Sequence, residues 1–193
     1  QLTLDMGGAG AALEGPLPGL PGSWLFAARR SYFDLLTDLL DSGNTPQAMP
    51  TTRDFQGKAV VELGKRGRLT LLGLAGFDSS GLSRDDTEES GEPYFGPVES
   101  SESTFGANWF TIWGEGNTGE TVLSRSATRH RADFTRTRTG LTAFFNHSDE
   151  EQWRLSTSWR VKLSPRASLE AGGSWQEDLL RLDLWQAPGT DPT

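Results

Sequence analysis

Cysteine is missing from the 193 residues, so disulfides, thiolate metal sites and cysteine nucleophiles are excluded. Histidine is scarce: only His130 and His147 are available for acid–base or metal work. Basic runs are absent. The net charge is −8 and no Lys/Arg-rich segment occurs, which disfavours a nucleic-acid partner, because neutralising phosphates needs a clustered basic surface. Long apolar runs are missing too. Mean hydropathy is −0.49, and the longest apolar-leaning stretch, LTLLGLAGF at 69–77, falls well short of the roughly 20 residues of a spanning helix. A helical membrane protein is excluded. A membrane-spanning barrel is not, because its strands alternate and average out polar.

What the chain does have is glycine (23), tryptophan (7) and alternation. The stretch WRLSTSWRVKL, 153–163, places Trp153, Leu155, Thr157, Trp159, Val161 and Leu163 on one side of a strand. Arg154, Ser156, Ser158, Arg160 and Lys162 fall on the other. Similar segments recur from end to end. The first runs from about Leu2 to Leu17, then 23–33, 54–63, 68–78, 104–113, 121–134, 137–148, the ribbon itself, and 168–175. The length suffices for one domain. The N-terminus lacks a basic segment followed by an apolar core, so no signal peptide is expected, and both ends read as cut from something longer.

Short turns are expected near 18–22, 64–67, 114–119 and 164–167. Long connections, expected to be extracellular, fall near 34–53, where the first half suits a short helical turn, at 78–103, and within 130–151. Such alternation of short and long connections marks outer-membrane barrels. For it to hold, 120–148 is either one long bent strand with a loop, or contains an extra hairpin. The fold class expected is all-β: an antiparallel meander of about eight or nine strands forming part of a transmembrane β-barrel.

The ribbon's length matches the roughly 9–11 residues of a tilted strand crossing a bilayer. In lipid, backbone groups must pair within the protein, which strands achieve only in a closed barrel. Leu155, Val161 and Leu163 then meet lipid, and Trp153 and Trp159 the headgroups. A half-buried strand of a soluble sandwich alternates in the same way. Against it stand the repetition and the sorted turn lengths.

The segment LEGPLPGLPGSWLFAARRSYFDLL, 13–36, resembles the early barrel region of TonB-dependent outer-membrane receptors. The matching residues are Glu14, Gly15, Pro16 and Leu17, then Gly22, Ser23, Trp24, Arg29, Arg30, Ser31 and Tyr32. RDFQGKAVVEL (53–63), GANWFTIW (106–113) and SPRASLEAGGSW (164–175) are similar to the family's strand–turn–strand grammar in its usual order. The resemblance covers nearly the whole chain. It implies a 22-stranded barrel with a plug in its lumen, taking up bulky scarce solutes such as siderophores, vitamins or glycans. The partners implied are outer-membrane lipid, the extracellular solute, the plug and the TonB-type energising protein. Plug, docking segment and an aromatic-ended terminal strand are not in this sequence, so it corresponds to an N-terminal portion of the barrel.

Arg29, Lys58, Glu62, Arg154, Arg160, Lys162 and Glu170 are candidates for the lumen wall, where the bland alternative is generic solvated charge. Trp24, Trp109, Trp113, Trp153, Trp159 and Trp175 are candidates for membrane-interface anchors. Asp85, Asp86, Glu88, Glu89, Glu92 and Glu99 form an acidic set in the 78–103 segment that could capture a ligand or cation. They lack calcium-loop spacing, and a merely solvated loop fits them better. GGAGAALEG (7–15) lacks the third glycine of a dinucleotide fingerprint, because Leu13 stands there. His147 with Asp149 comes without a nucleophile motif. NHS (146–148) fits a glycosylation sequon, which matters only in a eukaryotic secretory context. No catalytic residue, cofactor or metal is expected. The function expected is part of an outer-membrane receptor/transporter in the bacterial outer membrane. The alternatives are a complete small eight-stranded barrel with a structural or adhesion role, and a soluble β-sandwich binding carbohydrate through its tryptophans.

Overall fold

The computed structural model describes residues 1–5, 8–31, 50–114 and 116–188. Among them, nine strands form one antiparallel sheet in strictly sequential order, β1 to β9. They are β1 Leu2–Asp5, β2 Gly8–Pro16, β3 Gly22–Ser31, β4 Thr51–Glu62, β5 Gly67–Leu82, β6 Tyr94–Trp113, β7 Asn117–Arg136, β8 Thr142–Ser164 and β9 Ala167–Gln186. One short helix, α1 Arg84–Ser90, lies between β5 and β6. β1 and β9 are the edges; they do not pair with each other, so the sheet is not closed into a barrel.

The expected meander is present, with four changes of boundary. The single strand expected over Leu2–Leu17 is a hairpin, β1 paired with β2 from Leu2↔Ala11 to Asp5↔Gly8. Glycine lets these strands approach β3: a Cβ on Gly8 would sit 2.6 Å from the Arg30 carbonyl oxygen. The connection expected over 78–103 shrinks to 83–93, because β5 runs on to Leu82 and β6 starts at Tyr94. The connection within 130–151 is only the turn 137–141, so 120–148 does contain a hairpin, and 142–164 is one strand. The last strand reaches Gln186 rather than stopping near 175. The helical turn expected in the first half of 34–52 lies outside the described residues.

The expected sorting of connections by length holds only in part, because 137–141 is no longer than 17–21. At one end they span 17–21, 63–66, 114–116 and 165–166; at the other, 83–93 and 137–141. Gly19, Gly64 and Gly114 supply the left-handed backbone in the first three short turns, with φ of 72°, 71° and 59°. Helix α1 begins with a capping box in which Ser83 and Asp86 bond each other's backbone, and it ends on Gly91 at φ 78°. The single Thr137 hydroxyl proton is shared between the Glu92 carbonyl (2.9 Å) and the buried Thr87 hydroxyl (3.2 Å). The connection is thereby docked on the β7–β8 turn.

The strands are staggered. Following paired residues across the sheet from the β2–β3 turn gives Pro16, Ser23, Val60, Thr70, Asn108, Val122 and Ser156. β8 itself does not turn until Ser164, eight residues further on. There is no core of the usual kind. Among the described residues the buried apolar side chains are Ala132 and Ala143, while Leu155, Leu169, Phe105 and Trp175 are exposed.

Candidate functional site

Directly paired residues in an antiparallel sheet point to the same face, so the register assigns every strand position to one of two faces. One rung reads Gly15, Trp24, Ala59, Leu71, Ala107, Leu123, Leu155, Trp175. The next rung toward the longer connections reads Glu14, Leu25, Lys58, Leu72, Gly106, Ser124, Arg154, Gln176 and faces the other way. Extending this count, Trp24, Trp109, Trp113, Trp153, Trp159 and Trp175 share a face, joined by Trp185. Arg29, Lys58, Glu62, Arg154, Arg160, Lys162 and Glu170 all lie on the opposite one. We call these the tryptophan face and the lysine face.

On the tryptophan face the long strands carry uncharged runs: Gly67–Gly81 on β5, apolar from Leu69 to Phe77, Ser101–Trp113 on β6, a shorter Asn117–Leu123 on β7, Trp153–Leu163 on β8 and Ala167–Trp175 on β9. Charge begins where these runs end: Arg30 on β3, Arg53 on β4, Glu99 on β6, Arg125 on β7, Glu151 on β8 and Glu177 on β9. Most of the tryptophans gather toward the ends of the runs, while Trp185 lies beyond Glu177, Arg181 and Asp183. Trp153 and Trp175 adjoin Glu151 and Glu177. At the short-turn end Trp159 packs against Trp113 (5.0 Å between ring centroids) and edge-on to Trp109 (6.4 Å). Its ring lies over Gly119, whose added Cβ would come within 2.5 Å of it. Two indole N–H groups find acceptors: Trp159 donates to the Thr157 hydroxyl (2.6 Å) and Trp153 to the Glu151 carboxylate (2.7 Å).

The lysine face carries its charges together with apolar side chains, Leu72 and Leu74 on β5 and the exposed Leu180, Leu182 and Leu184 on β9. Arg160 and Glu170 form an ion pair at 3.0 Å. Glu62 stands opposite Arg68, and Arg29 opposite Asp54. Lys58 and Arg154 lie in one rung, separated by β5, β6 and β7, so the seven candidates share a face without forming one cluster. A hollow of about 580 Å³ is lined from this face by Arg29, Asp54, Gln56, Glu102 and Thr104. Sequence reasoning passed over Asp54, Glu102, Glu120, Glu150 and Asp178, which the register adds to the same face.

The acidic set is divided. Asp85, Asp86, Glu88 and Glu89 are on α1, Glu92 follows it, and Glu99 is on β6, facing Arg131 across the strands. Asp86 caps the helix and Glu88 pairs with Arg84 at 2.8 Å. His147 bonds Asp133 (2.9 Å) rather than Asp149. Asp149 accepts two bonds from Arg131 (2.7 and 2.8 Å) and one from Arg129 (3.0 Å). These guanidiniums, Arg131 first, hold its carboxyl below the ordinary carboxylate range.

Comparison with protein-family models, curated proteins and solved structures gives no match to the chain.

Proposed function

We propose that this sheet is part of the wall of an outer-membrane β-barrel of the TonB-dependent receptor/transporter kind, non-enzymatic, for uptake of a bulky scarce solute. The observation that carries the reading is an apolar, tryptophan-edged face that no part of the described chain covers. A chain of this length is long enough to bury a core, yet two alanines are all the apolar side chains it buries among the described residues. In water such an exposed apolar sheet is unfavourable. In a bilayer it is solvated.

Dimensions agree. The nine-residue run 69–77 rises about 30 Å along its strand at ~3.3 Å per residue, or ~23 Å across a bilayer at ~40° tilt, against an apolar band of about 25 Å in such barrels. The stagger agrees as well. A level rim of short turns that moves eight residues over the six steps from β2 to β8 requires a strand tilt of about 42°, at ~3.3 Å per residue and ~4.8 Å between strands. The order of strands, ending in two unpaired edges, favours a portion of a larger barrel over a closed small one. The resemblance of 13–36 supplies the receptor assignment. On this reading the lysine face lines the lumen toward a plug, and the connections 83–93 and 137–141 lie outside the cell.

The test is reconstitution of the full chain with phosphatidylcholine vesicles or detergent. Co-sedimentation with vesicles and blue-shifted tryptophan emission are expected. A monomer that stays soluble in buffer without detergent overturns the reading.

A further inference from the structure

Beyond its uncharged band the tryptophan face carries a feature that the wall alone does not require. Arg53, Arg129 and Arg131 line a depression of about 440 Å³, with Phe77, Ser79 and Ser101 between them. The Arg53 side chain makes no hydrogen bond or ion pair among the described residues. Arg129 is 67% exposed and engages Asp149 through Nε alone, which leaves its Nη groups as donors. Three carboxylates share the neighbourhood: Asp78 and Glu99, which line the depression themselves, Glu99 paired across from Arg131, and Asp149, already held by Arg129 and Arg131.

Four residues toward the short-turn end lies a second depression, of about 340 Å³. The step is from Arg53 to Gly57 on β4, Phe77 to Gly73 on β5 and Ser101 to Phe105 on β6. Phe26, Phe55 and Phe105 wall it, with Arg125 at its mouth. Its floor is the directly paired Gly57 and Gly73, where an added Cβ meets nothing within 4 Å. The two hollows are thus about 13 Å apart at ~3.3 Å per residue, with guanidiniums and hydroxyls over aromatic rings.

We infer that together they bind one lipid whose headgroup is an anionic phosphomonoester, in preference to a zwitterionic phosphodiester. The Arg53 and Arg129 guanidiniums and the Ser79 and Ser101 hydroxyls take the phosphate, and the phenylalanine slot takes an acyl chain. Planar forked donors suit phosphate oxygens. The inference rests on the tryptophan face meeting lipid. It adds selection among lipids at one place on that face.

The full chain is placed in phosphatidylcholine vesicles doped with brominated phosphatidate or, at equal content, brominated phosphatidylcholine, and quenching of tryptophan emission is read. Phosphatidate is expected to quench at several-fold lower content, with a loss of roughly fivefold in that preference for each of Arg53→Gln and Arg129→Gln. Gly73→Phe, which fills the slot and leaves the arginines in place, removes it too. Arg68→Gln, on the lysine face, leaves it unchanged. Equal quenching by both lipids overturns the lipid site and leaves the barrel reading standing; no quenching by either overturns the barrel reading. If inorganic phosphate alone abolishes the preference, the site binds free phosphate and the lipid assignment falls.

Discussion

At the scale of the residue, the two faces make opposite demands on neighbouring positions. Leu155 and Ser156 are adjacent on β8 and at nearly the same depth, but point to different surroundings. Leu155→Arg is expected to cost about 2–4 kcal/mol in lipid, and Ser156→Arg much less, in unfolding titrations of the vesicle-bound chain. Equal costs would mean that both faces see water. Asp149 gives a pH-dependent case. Its folded carboxyl has a lowered pKa because of Arg131 and Arg129. Its stabilising contribution is therefore complete above the unfolded carboxylate value, about 4, and is lost as the pH falls through the depressed folded value. Asp149→Asn should flatten the acid limb of unfolding midpoint against pH, and an unchanged limb would assign the acid sensitivity to other carboxylates.

At the scale of the element, what the sequence discloses depends on what each strand touches. Across 54–63, 68–78 and 153–163 the two faces differ, so period-two alternation is plain and the strands are legible from Phe55 to Leu163. Beyond the uncharged band the same strands continue with polar side chains on both faces. Ser79, Ser80, Glu99, Ser100, Ser101 and Glu102 lie in paired register between β5 and β6, yet read in sequence as loop. Arg129, His130 and Arg131 on β7 fall in 121–134, which reads as extended but with weak alternation. The face of each candidate was readable from alternation. Which charges oppose one another, such as Arg29 with Asp54, depends on a register that no local pattern discloses. Two elements offer tests. Gly119→Val should push the Trp159 ring off β7 and lower stability by about 1–3 kcal/mol, with a change in near-ultraviolet circular dichroism from the Trp109, Trp113 and Trp159 group. Ser83→Ala removes the cap of α1 at a cost of about 0.5–2 kcal/mol. Amide exchange at Asp86 should rise while that of β5 stays unchanged.

At the scale of the whole molecule, the connections at the two ends give a sidedness that can be measured. Arg84 and Arg138 stand at one end of the sheet, and Arg66 and Arg166 at the other. In vesicles holding the chain in a single orientation, external trypsin is expected to cut one pair and spare the other until the vesicles are opened. Cutting of both pairs in sealed vesicles would show that the sheet does not cross.

Among the described residues, each strand is hydrogen-bonded only to the strands before and after it in the chain. No contact has to wait for a distant stretch to arrive, so assembly can proceed hairpin by hairpin in the order of synthesis, with a modest loop-closure cost at each step. The same locality means that damage stays local. Deleting β9 would uncover β8 but leave the ladder from β1 to β8 intact, as removing the last stave from a row leaves the others standing.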